Sequence, residues 1–155
     1  MKPATISELK RSLADLDEEE LREACLRLAK FKIDNKALLT YLLMKAQNET
    51  AYVDEVCEEI DRMFPPERRL PKKTMRKIIR WYDKCIRYSG NKETELHIRI
   101  HFCRQLIDRQ ISFGNCRISA NMYAGQLKKI NQAIDKLHPD LQYDYRHLMA
   151  GLDSR

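Results

Sequence analysis

Glu93, His97 and His101 recur every four residues in ETELHIRIHFCRQLID, so on a helix all three project from one side, with Asp108 near the same line. Two histidines at i and i+4 can grip one metal ion. The zinc-protease pattern, however, needs glutamate directly after the first histidine, and this chain has Ile98 there. Arg104 falls on the same side, where a cation opposes metal binding. The plainer reading is a polar outer strip on a helix whose other side, with Leu96, Ile98, Ile100, Phe102, Cys103 and Leu106, is buried. On that reading the chain carries no metal or other cofactor.

A second grouping is QYDYRH, which gathers Tyr143, Asp144, Arg146 and His147. Asp144 is placed to orient His147 as a general base, but no nucleophile can be tied to the pair. No GxSxG, Gly-rich phosphate loop or paired-carboxylate motif occurs. The expectation is a protein that is not an enzyme.

The most distinctive stretch is RRLPKKTMRKIIRWYDKCIRYSGNK, residues 68 to 92, with ten lysines and arginines against one acid. At about 100° per residue, Met75, Ile78, Ile79, Tyr82, Cys85 and Ile86 gather on one side of a helix. Lys73, Arg76, Lys77, Arg80, Lys84 and Arg87 gather opposite, with Trp81 and Tyr88 on the boundary. Such a ridge could displace counterions from phosphates beside an aromatic ledge, or dock an acidic protein. It could also be a solvated face, partly neutralised by the acidic helix that precedes it. No helix-turn-helix glycine turn, RRM signature or zinc-finger spacing favours nucleic acid. The leading expectation is therefore an interaction or scaffold protein that docks an acidic partner through this helix, with sequence-nonspecific nucleic-acid binding as the alternative.

Charge is unevenly distributed along the chain. Residues 1–64 hold ten Lys/Arg and fourteen Asp/Glu, whereas residues 65–155 hold nineteen and nine, for a net charge of +6 over 155 residues. The halves can attract each other within one domain, or the second can be a basic functional half. Cys25, Cys57, Cys85, Cys103 and Cys116 are odd in number and contain no CxxC, which suits free thiols in a reducing compartment. MKPATISELK has no apolar signal region, and no apolar run approaches a membrane span. These features point to the cytoplasm.

The elements that must position these groups are helices, since valine, glycine and proline are all scarce. Ile6, Leu9, Leu13 and Leu16 mark a first helix. Asp17 with Glu20 forms a capping box for a second, stapled by Leu16 and Leu21. Asp34 is expected to cap a third, DNKALLTYLLMKA, whose apolar circumference suits a bundle centre. A fourth covers about 50–63 and is broken by FPPERRLP. The basic helix, about 72–88, ends at Ser89-Gly90. Asn91 caps a sixth that extends to about Ser112, Ser119 opens a seventh, and Asp140 begins the last. The expectation is one all-α domain over 1–155, a bundle of about eight antiparallel helices with helices three and six central. A possible sub-domain seam lies near 64–71, and an irregular helical-hairpin solenoid is the second choice.

Two stretches, ISELKRSLADLDEEELREACLRLAK and FPPERRLPKKTMRKIIRWYDKCIRYSGNKETEL, resemble small bacterial helical proteins of unknown function. In these a short helix and an acid-capped helix precede an F-P joint and a basic helix. The resemblance implies a bacterial, cytoplasmic, helical protein and no particular activity.

Overall fold

The computed structural model describes residues 2–114 and 116–152, and among them every regular element is helical. Eight α-helices follow in order: α1 (Ile6–Ala14), α2 (Glu18–Phe31), α3 (Ile33–Thr40), α4 (Glu49–Met63), α5 (Lys72–Ser89), α6 (Lys92–Asp108), α7 (Arg117–Ile134) and α8 (Pro139–Leu148). A π-helical turn, Tyr41–Lys45, follows α3. No helix among the described residues is long and apolar enough to cross a membrane. Contacts divide the chain into two compact units, Met1–Met44 and Lys45–Arg155.

In the first unit, α1 and α2 each open on a capping box. Thr5 and Glu8 form a capping box at α1, and Asp17 and Glu20 form the expected one at α2. Extended backbone at Lys32 turns the chain sharply into α3, and the Asn35 amide donates to the Leu28 carbonyl at 2.9 Å. This turn corrects the expected start. The helix begins at Ile33, so Asp34 lies inside the first turn, where its charge still suits the dipole. The expectation of a central third helix is also overturned. None of α1, α2 or α3 has a buried residue, and Leu38, Leu42, Leu43 and Met44 are exposed. An all-apolar circumference is buried only when neighbours surround it, and α3 packs chiefly against α2.

The second unit is organised around α6, which packs against α4, α5 and α7. Its apolar residues Leu96, Ile98, Ile100 and Phe102 alternate, so successive members point about 200° apart and both sides of the helix are buried. Phe102 meets Phe64 and Tyr82, with ring centres 5.8 and 5.3 Å away. Phe64 and Leu70, at the ends of the segment joining α4 to α5, are buried. The helix ends at Asp108, before the expected Ser112, because Gln110 takes a left-handed conformation (φ 52°). Glycine usually announces that turn, and none stands there. α7 starts at Arg117, and Ser119, expected as its opening residue, is buried within it.

Arg99 is the one charged side chain buried among the described residues. Its Nε donates to Glu95 at 3.0 Å and its Nη1 to Gln126 of α7 at 2.8 Å. Asp83 Oδ1 of α5 lies 2.8 Å from the same Nη1, but no N–H is aimed at it, so that contact is purely electrostatic. The guanidinium also lies 5.8 Å from the centre of the Tyr82 ring. Burial pulls the Arg99 pKa down, but Tyr82, Asp83 and Glu95 outweigh it and raise it above the usual guanidinium value. Burial pushes Glu95 up, while Lys92 and Arg99 pull it down further, to a net value below 4.5.

Removing one member of a buried pair strands the others, so Arg99→Ala is expected to cost roughly 3 kcal/mol at neutral pH in urea unfolding. Glu95 stabilises fully above pH 4.5 and loses its contribution as pH falls through its depressed pKa, so the Arg99→Ala deficit should shrink there. The Tyr82 hydroxyl is buried without an aligned partner among the described residues. Tyr82→Phe should therefore be neutral or stabilise by up to about 1 kcal/mol, read in the same assay.

Candidate functional site

α5 is a two-sided helix, as its spacing predicts. Met75, Ile78, Tyr82, Cys85 and Ile86 are buried, while Lys73, Arg76, Lys77, Arg80 and Arg87 are exposed. Lys84, Trp81 and Tyr88 are half-buried along the boundary. From Lys73 to Arg87 the ridge runs roughly 21 Å, at 1.5 Å per residue. Gly90, at φ 67°, closes the helix and donates its N–H to the Ile86 carbonyl at 2.9 Å.

Most acids of α4 are paired away from this ridge. Glu55 pairs with Lys45, Glu58 and Glu59 with Arg62, and Asp61 with His101. Glu49 accepts from Ser89 and Thr94. Among the described residues, Lys73, Arg76, Lys77, Arg80 and Arg87 form no ion pair, so the expected flank-to-flank pairing does not reach these five. Two hollows border the ridge. Lys73, Thr74, Lys77, Arg80, Trp81 and Lys84 line an open groove of about 560 Å³ that contains no acid. On the other flank, Arg80, Lys84 and Arg87 share a cleft of about 750 Å³ with Lys92, Lys129, Asp83, Glu95 and Arg99. There the acids are already engaged. Lys92 binds Glu95 at 2.8 Å, and Lys129 reaches Asp83 at 3.3 Å.

The first cations of the ridge do not stabilise their own helix, whereas Arg87, in its last turn, does. α5 begins after Pro71 with no side-chain cap and no acid in its first turn, and Lys72 and Lys73 stand at the positive end of its dipole. Cations there are unfavourable.

The other candidates separate. Glu93 and His97 both meet the Tyr145 hydroxyl, which donates to Glu93 at 3.2 Å and lies 3.0 Å from His97 Nε2. Burial and the Glu93 charge push the Tyr145 pKa up to about 12. His101 turns away to Asp61, at 2.8 Å. Among the described residues no three His, Cys, Asp or Glu side chains converge to hold a metal ion. Arg146 pairs with Asp135, and no bond joins the exposed Asp144 to His147. Arg99, Asp83 and Lys129 were not marked by spacing. The available signal was a charge between Ile98 and Ile100, where a buried helix admits one only with partners.

No family model, curated protein or solved structure matches this chain.

Lys73→Glu tests whether the ridge is a concession to function. It puts an acid at the positive helix end and beside Lys77 at i+4, so it should raise the thermal midpoint by about 1–2 °C. Scanning calorimetry showing a lower midpoint would assign Lys73 a stabilising role.

Proposed function

We propose that this protein is a non-enzymatic docking component that holds an acidic protein partner on the α5 ridge, in the cytoplasm. Arg76, Lys77, Arg80, Lys84 and Arg87 supply the charge, with Lys73 at one end and Trp81 and Tyr88 as the apolar margin. The observation that supports this most is that Lys73, Arg76, Lys77, Arg80 and Arg87 are exposed without ion pairs among the described residues, while Glu55, Glu58, Glu59 and Asp61 of α4 are paired elsewhere. Desolvating unpaired cations against carboxylates gains Coulomb energy without breaking existing bonds, and arginines at 76, 80 and 87 can grip carboxylates bidentately.

The acid-free groove around Trp81 favours a second reading, in which Trp81 stacks on an unpaired base while Lys73, Lys77, Arg80 and Lys84 contact phosphates. The protein partner is preferred because Asp83 and Glu95 stand in the adjoining cleft, where a continuous phosphate backbone would meet them.

One experiment separates the readings. Arg80→Glu/Lys84→Glu should abolish co-purification of an acidic protein from the native host while leaving helicity unchanged; undiminished capture overturns the docking role. Titration with RNA and DNA should show no salt-sensitive binding. Binding whose log K falls against log salt with a slope of roughly −3 to −4.5 transfers the ridge to nucleic acid.

A further inference from the structure

Exposed apolar side chains are concentrated in one part of this chain. Among the described residues, eleven large ones in the first unit are exposed, from Leu38 at 38% to Ile6 at 81%, against three in the second. At roughly 150–200 Å² for a fully exposed large side chain, the eleven together present on the order of 1,000 Å², distributed over α1, α2, α3 and the π-helical turn. The largest apolar patch of a typical monomer is about 300–600 Å². A standard interface takes about 800 Å² from each partner, somewhat more than half of it apolar. The exposed apolar surface of the first unit is thus of the size a stable dimer buries, and none of its three α-helices has a buried residue, although Tyr41 of the π-helical turn is buried.

Charge identifies the occupant. Residues 1–44 hold eight Lys/Arg and eight Asp/Glu, while residues 45–155 hold twenty-one and fifteen. Two copies meeting through the first unit therefore face no net repulsion, whereas the whole +6 lies in the other. Along α2, charge runs from Glu18, Glu19, Glu20 and Glu23 at the start to Arg27 and Lys30 near the end. Reversing one copy against another sets acidic end on basic end and opposes the two helix dipoles. A surface that complements its own reversed copy is what a two-fold dimer requires.

We propose that the apolar side of the first unit, centred on Leu9 and Leu13 of α1 and Leu28 and Phe31 of α2, joins a second copy of this chain. The copies meet about a two-fold axis with their α2 helices antiparallel. The midpoint of α2 falls between Ala24 and Cys25, and Cys25 is exposed, on the same side as Leu21 and Leu28 at i−4 and i+3. The dimer therefore brings the two Cys25 thiols together, which supplies a native reporter.

The test uses the full chain in reducing buffer. Light scattering at ~20 µM should give twice the monomer mass. Leu9→Glu/Leu13→Glu and Leu28→Glu/Phe31→Glu should each weaken association by about tenfold or more. Far-UV circular dichroism should be preserved, because these positions are exposed. A short bis-maleimide should cross-link the native chain into a covalent dimer. It should fail on Cys25→Ser, which itself remains dimeric by light scattering. A monomeric native chain overturns the proposal, even if that monomer captures another protein or floats with lipid vesicles. So does a dimer that both double variants leave intact, one that Arg80→Glu/Lys84→Glu dissolves, or one that no Cys25 cross-link reports.

Discussion

Burying the Arg99 guanidinium would cost several kcal/mol were it not met by Glu95, Asp83 and Gln126, and two of those partners stand on other helices. The requirement that all of them reach one planar group fixes the spacing and rotation of α5, α6 and α7 together. With α5 so rotated, Tyr82 and Ile78 go to the core and the cations one half-turn away go to solvent. The ridge is therefore a consequence of the core. Its exposure follows from which residues of α5 must face Arg99 and Phe102, not from any local preference of lysine or arginine. The same network explains why the cleft beside the ridge is a weaker anion site than its cation count implies. Lys92 and Lys129 are already held by the acids that serve Arg99.

Local chemistry was the part of this structure most legible in the sequence. Asp17 with Glu20, Asn91 before α6 and Gly90 after α5 each specify a helix end through backbone groups within four residues, and each acts as read. The two-sidedness of α5 was equally clear, because six apolar and six basic residues at the right spacing leave one way to orient it. Failures came where the outcome depends on distant neighbours. Asp34 looked like a cap, but Lys32 took the extended conformation and the helix began two residues earlier. Gln110 ends α6 in a conformation that only glycine advertises. Arg99 is silent in a period analysis, because its position is decided by what α5 and α7 present to it.

The contrast between α3 and α6 shows how far composition alone carries. Both are apolar over much of their circumference, and both were expected to be central. α6 is enclosed by three helices and buries its alternating residues on two sides, while α3 has chiefly α2 beside it and buries none. Hydrophobicity specifies that a surface will be covered and is indifferent to what covers it. In α6 the cover is the rest of its own unit, secured by a charge network that tolerates one geometry. The first unit has no such network; α2 and α3 pack on each other without burying a residue of either.

That difference bears on how the first unit can persist. Helices of nine, fourteen and eight residues fall at or below the length at which isolated helices hold together in water, whatever their caps contribute. Two capping boxes and an i,i+4 ion pair between Glu18 and Arg22 supply modest increments, each within the first or last turn. Stability of that size does not normally leave Phe31 and Ile33 more than three-quarters exposed at the hairpin turn. Apolar side chains are usually the material from which a helical hairpin makes its core. Here many of them are directed outward, so on the proposed dimer part of the free energy that holds the unit together comes from association. Order in the first unit and occupancy of its apolar side then become a single equilibrium, linked through concentration, while the second unit folds on its own buried contacts. Such a chain keeps its cationic ridge rigid regardless of its association state.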